Sequence, residues 1–173
     1  LYVGGLWFAR GVFEAFRDDK GALHAADELD KLGLKLYRMI GSALRALHYA
    51  NRGELELSRQ HREQVDVHAI QIGSAWQVEL WEPAAMILVH ASVGDLVECR
   101  RIADRLQTLV KSVPSLEHYA TLANFVLQYL RLQSLPPEER EMFLASVLEM
   151  IETREPRSFI GWGAVIAFTA RGL

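Results

Sequence analysis

The sequence predicts an all-α chain: a right-handed superhelical array of antiparallel helix hairpins, about nine helices long. Three observations carry this. Aromatic residues recur at Trp76, Tyr119 and Trp162, each 43 residues from the last. Chain-reversal signals at Gly53, Gly94 and Pro136 are spaced by 41 and 42 residues. Between them the apolar residues fall at three- and four-residue intervals, the period of a helix with one buried face. A helix pair cannot bury its apolar face alone, so a period of about forty residues implies pairs stacked on one another.

Composition sets the outer bounds. The 173 residues are 50% hydrophobic, enough for one domain (1–173) with its own core. The 19 Lys+Arg against 22 Asp+Glu give −3, without the basic footprint of a nucleic-acid module. The longest charge-free runs, Ser158–Ala170 among them, span about thirteen residues and are too short to cross a bilayer. With Cys99 as the lone cysteine, no intrachain disulfide or Cys-based zinc site can form, and a reducing, cytoplasmic location is expected. Leu1-Tyr2-Val3 has no charged leader, so no signal peptide is expected. The chain begins without Met and ends in an apolar helical pattern, which suggests a piece of a longer protein.

The first helix is expected over Tyr2–Phe16, with Val3, Leu6, Trp7, Val12, Phe13 and Phe16 on one broad face and Gly4, Gly5 and Gly11 weakening it. A short second helix, Ala22–Leu32, ends at Gly33. The third, Leu34–Asn51, carries Leu36, Met39, Ile40, Ala43, Leu44 and Leu47. Gly41 inside it costs about 1 kcal/mol relative to Ala unless close packing needs the missing side chain. In the fourth, Leu55–Ile72, a strand-like alternation (Val65, Val67, Ile70, Ile72) competes with helical spacing (Ser58, His61, Val65, Ala69, Ile72), and the helical reading is preferred.

Ser74-x-x-Gln77 forms a capping box for the fifth helix. Pro83 either kinks that helix or divides it, and a kink is favoured. The sixth, Leu96–Val110, shows the cleanest stripe: Leu96, Cys99, Ile102, Ala103, Leu106, Leu109 and Val110. Ser115 caps a seventh running to about Gln133, whose buried side is Leu122, Phe125, Val126, Tyr129 and Leu130. Pro136-Pro137-Glu138-Glu139 opens an eighth to about Thr153, with Phe143, Leu144, Val147, Leu148 and Ile151 inside. Ser158–Ala170 would start a ninth, apolar nearly all round.

Catalytic and metal-binding patterns do not emerge. His61 and His68 share a face but lie two turns apart, about 10 Å, too far to share one ion unaided. His24 and Glu28 have the spacing of an exposed ion pair. Cys99 sits on an apolar stripe where a small residue lets helices approach. Gly4-Gly5 and Gly161-x-Gly163 lack the strand and lysine of a phosphate loop, and no nucleophile elbow is present. Arg100, Arg101, Arg105 and Lys111, interrupted by Glu98 and Asp104, read as a solvated face. The expectation is therefore no enzyme, no metal and no cofactor. Of the four tryptophans, Trp81 beside Pro83 is the least explained by packing.

The helix–elbow–helix units resemble tetratricopeptide-type (TPR-like) repeats, lengthened from 34 residues to just over forty. Gly94-Asp95 matches the elbow of that family. Cys99, Ala103 and Leu106 fall at its small and apolar second-helix positions, and Tyr49, four before Gly53, at its late first-helix aromatic. The chain departs from the pattern at Ala46 and Ile87, where the family has glycine, and at Arg62, where it has a large apolar residue. The resemblance covers roughly Ala22–Arg154 and is similar to the helical arms of bacterial signal-transducing ATPase regulators.

It implies a protein-interaction, scaffold or sensor segment of a larger signalling or transcription-regulatory protein. Its partner would be a protein or peptide, or another domain of the same chain, with no nucleic acid and no membrane. The family's groove positions map onto Asn51, Trp81, Ser92 and Gln133. A small-molecule sensor using Trp81, Met86 and Phe125 is the alternative, an all-α enzyme a more distant one, and the apolar C-terminal helix suggests homo-oligomers.

Overall fold

A computed structural model describes residues 2–17, 20–73, 76–113, 117–131 and 136–153. Among them are eight helices and no strand: α1 (Tyr2–Phe16), α2 (Gly21–Lys31), α3 (Lys35–Asn51), α4 (Leu55–Ile72), α5 (Trp76–Ser92), α6 (Leu96–Ser112), α7 (Glu117–Arg131) and α8 (Pro137–Thr153). The expected ninth helix, the Ser74 capping box and the Ser115 cap lie outside the described residues. No described helix is long and apolar enough to cross a membrane.

The core follows α3 and α5. α3 packs on α1, α2, α4 and α5, and α5 packs on α6 and α7 as well. α3 therefore buries Tyr37, Met39, Ile40, Ala43, Leu44, Ala46, Leu47 and Ala50, more than one amphipathic stripe. α5 buries every residue from Pro83 to Val89. It stays a single helix through Pro83, which settles the choice between one helix and two. Proline leaves the Glu79 carbonyl without its i+4 donor, and Glu79 is on the exposed side, where water can serve instead.

Glycines with positive φ end four successive helices at 33, 53, 73 and 94, with φ of 75°, 75°, 81° and 76°. At Gly94 the Asp95 amide donates to the His90 carbonyl (2.9 Å) and the Gly94 amide to that of Ala91 (3.1 Å). At Gly53 the Glu54 and Gly53 amides bond Tyr49 and Ala50 in the same pattern, at 2.9 and 3.1 Å. These paired bonds are a Schellman closure, which needs a left-handed residue that only glycine adopts without strain.

The α4 ambiguity resolves for the helix. Ser58 and Val65 are buried and His61, Ala69 and Ile72 half-buried, whereas Val67 and Ile70 point to solvent. Lys35 Nζ, at the start of α3, donates to the Gln71 carbonyl near the end of α4 (3.3 Å). Ser58 Oγ, near the start of α4, donates to the Ala46 carbonyl (2.9 Å).

Two expectations need correction. On α1 the inward face is Gly4, Phe8, Gly11, Val12 and Ala15, while Val3, Leu6 and Phe13 are exposed. The glycines decide this, because they let α1 come closer than larger residues would allow. A Cβ at Gly4 would stand 2.2 Å from Tyr37 Cε1, and one at Gly11 would stand 2.4 Å from Leu44 Cδ1 and 3.1 Å from Ala25 Cβ. Second, Glu28 pairs with Lys31 (2.6 Å) rather than His24, whose ring instead stands edge-on to Trp7 at 5.6 Å. Gly41 belongs to the same close packing, since its Cβ would lie 3.1 Å from the Ala26 carbonyl oxygen.

Gly11→Ala separates helix propensity from packing. Propensity alone would stabilise by about 1 kcal/mol. Crowding against Leu44 and Ala25 should reverse the sign and destabilise by about 1–2 kcal/mol net. Urea unfolding followed by circular dichroism gives the sign directly.

Candidate functional site

Asn51, the last residue of α3, turns inward. Its Nδ2 donates to the Ala15 carbonyl of α1 at 3.0 Å, tying the ends of those two helices together. Ser92, the last residue of α5, is half-buried, and its hydroxyl oxygen is shielded from solvent without a hydrogen-bond partner. Gln133 lies outside the described residues.

Trp81 of α5 meets aromatic rings of α1 and α7. Its ring is edge-on to Phe8 of α1 (centroids 5.7 Å, 86°) and to Tyr119 of α7 (6.1 Å, 72°). Edge-to-face pairing puts the positive rim of one ring on the negative face of the next and is worth about 0.5–1.5 kcal/mol per pair beyond burial. Phe8 and Tyr119 are buried, and Trp81 keeps part of its surface open. Burial raises the Tyr119 hydroxyl to about 12, so it is a neutral member of this row. The structure thus links Trp81 to Phe8 and Tyr119 through ring contacts. Tyr119 carries the forty-three-residue aromatic spacing, but Phe8 has no sequence signal beyond being apolar. Met86 is buried in α5, and the Phe125 side chain is outside the described set.

A polar corner forms at the Gly94 elbow. Asp95 caps α6 by accepting from the Glu98 amide (3.1 Å), while its other oxygen meets His90 Nδ1 (3.2 Å). The Glu98 amide holds the Asp95 carboxyl below the usual range; burial opposes this, and His90 and the nearby Arg62 charge assist it. Arg105 reaches back from α6 to Glu82 on α5 (2.5 Å), and Arg101 pairs with Glu98 along α6. Two members of the basic face expected on α6 are thus engaged with acids.

Arg45 bridges to Asp27 and Asp30 of α2, at 2.7 Å each. The His61 ring stacks on Tyr49 (5.4 Å, 4°), and burial followed by the Arg45 charge lowers its pKa. Among the described residues, no three His, Cys, Asp or Glu side chains converge on a metal-sized site. Cys99 is fully buried, with Sγ 3.6 Å from the Ile87 carbonyl oxygen, and desolvation followed by the Asp95 and Glu98 charges raises its thiol to about 12. It fills the close approach between α5 and α6 as a small apolar group. Comparison with known proteins found no matching family, curated protein or solved structure.

The chemistry of Cys99 and Asp95 can be checked in solution. Cys99 should resist an aromatic disulfide reagent at pH 8 in the native protein and react fully in denaturant, because thiolate formation is suppressed. Asp95→Ala should cost about 1 kcal/mol at pH 7 through loss of the α6 cap. The folded pKa of Asp95 is depressed, so its charge-dependent stabilisation is present above the unfolded value near 3.8 and is lost as pH falls through the folded one. The difference between wild type and variant should therefore narrow below about pH 4. A constant difference from pH 7 to pH 3 would exclude a charged cap.

Proposed function

We propose that this chain is a TPR-like array of helix hairpins, acting as a protein-interaction or sensor segment of a larger cytoplasmic signalling or transcription regulator. Several features support the array. α1, α3 and α5 each touch the next odd-numbered helix, and α2 and α6 pack on both neighbours in sequence. The two start-to-end bonds between α3 and α4 are those an antiparallel hairpin makes. In α5 and α6 the Cys99–Ile87 and Arg105–Glu82 contacts have the same sense. The helix-ending glycines recur every twenty or twenty-one residues, half the forty-residue period. A succession of first helices in this arrangement presents one continuous face.

The observation that carries the functional reading is Trp81. It is a partly open indole, fixed edge-on between Phe8 and Tyr119, on the layer of first helices. A rigid aromatic that loses little entropy on contact is a typical binding anchor. An extended peptide would place an apolar side chain against it.

An immobilised library of extended ten-residue peptides supplies the test. Wild-type protein should bind a subset with an apolar central residue, and Trp81→Leu should bind those at least tenfold more weakly while keeping a cooperative thermal transition. Equal binding by Trp81→Leu, or no peptide above background, would refute the anchor.

A further inference from the structure

Val3, Leu6, Arg10 and Phe13 of α1, with Arg17 one residue past its end, are spaced three, four, three and four residues apart on its outer side. That spacing places all five on one seam of the kind helices use to pair. Val3 is 55% exposed, Leu6 60% and Phe13 41%. Arg10 and Arg17 are exposed as well, with guanidinium carbons 5.3 and 5.5 Å from the ring centroids of Trp7 and Phe13. The seam is apolar and basic.

At the other end of the helix order, α8 carries the opposite pattern. Glu138, Met142, Ala145 and Glu149 share the same alternation of four and three, and all four are exposed, Met142 at 72%. Glu139 and Glu141 flank this seam and are exposed too. The seam is apolar and acidic.

We propose that these two faces bind each other between copies, α1 of one chain against α8 of a second, in a head-to-tail association. Charge selects this pairing over the others. An antiparallel pair of α1 helices centred on Arg10 sets that cation against its own copy, and two α8 helices set acid against acid. Such like-charge contacts are disfavoured in an interface. In the antiparallel α1–α8 pairing, Phe13 meets Met142, Arg17 meets Glu138, and Arg10 crosses the small Ala145 within reach of Glu141. The contact joins two different patches, so it is heterologous and propagates unless the rotation closes a ring. It does not depend on the peptide reading, because it uses neither Trp81 nor the layer around it.

Sedimentation velocity across about 5–200 µM tests the pairing, with charge reversals on each face. Wild type should associate with rising concentration, and more weakly at about 0.5 M salt than at 0.1 M, where the screening length is near 10 Å. Arg10→Glu/Arg17→Glu makes both faces acidic, and Glu138→Lys/Glu139→Lys/Glu141→Lys makes both basic. Each variant alone should lose association at least tenfold, and an equimolar mixture should recover it, because each then offers the complement of the other. Circular dichroism melts verify folding, and Arg17→Gln, a milder change, should lower association severalfold. Three outcomes would overturn the proposal: a monomeric wild type throughout, variants that self-associate like wild type, or a mixture that stays monomeric. Anionic phosphatidylserine vesicles form a further arm. Arginine-dependent vesicle binding by a chain that remains monomeric would assign the α1 face to a lipid surface and reject the pairing.

Discussion

The close approach of α1 and α2 to α3 is the constraint on which the rest of the structure depends. A helix surrounded by four others needs neighbours whose facing side chains are small, or the axes separate and the interior opens. Here the facing positions are Gly4 and Gly11 on α1, Ala22, Ala25 and Ala26 on α2, and Gly41 on α3 itself. Interior packing near crystal density leaves no room for a methyl group at several of these points. The depth of α3 then decides which faces of α1 and α4 remain outside. Arg45, partly buried on α3, would be costly in that setting without the two carboxylates of α2 that receive it.

On α4 the same constraint is relaxed. This helix packs broadly on α3 but only slightly on α5. Its grip on α3 combines Val65 with two hydrogen bonds near opposite ends, from Ser58 and Lys35. Its outward side carries a charged ladder in which Arg59 pairs with Glu56 and Glu63. Such exposed pairs contribute little individually, so α4 owes its place to α3 and to the Schellman turn at Gly53. A helix held mainly by one neighbour is a natural place for local opening.

The candidate site was legible only in part. Trp81 stood out because it lies beside a proline within a helix, and the structure gives it a position between two other aromatics. Tyr119 was visible as a repeat of aromatic spacing, but nothing in local sequence joins it to Phe8, more than a hundred residues away. Asn51 carried polar groove chemistry by position, yet its amide is engaged with Ala15. Asp95 read as part of a repeat elbow, and its carboxylate also caps α6. In each case the missing information was which neighbour the side chain faces.

By itself the sequence determined most of the described helices and the glycines that end four of them. Local physics is sufficient for that: a 3.6-residue period marks the elements, and glycine marks the positions where only a left-handed residue can close a helix. It also determined the inward face of α6, where a single stripe of Cys99, Ile102, Ala103 and Leu106 leaves no competing choice. Tertiary structure alone decided the inward face of α1. There Val3, Leu6 and Phe13 lie outside, while Gly4 and Gly11 lie inside beside Phe8 and Val12. Hydrophobicity ranks side chains by what they gain on burial, whereas distance between axes ranks them by what fits. On α1 the second ranking prevailed, because the Tyr37 and Leu44 side chains already occupy the space that a Cβ at Gly4 or Gly11 would need.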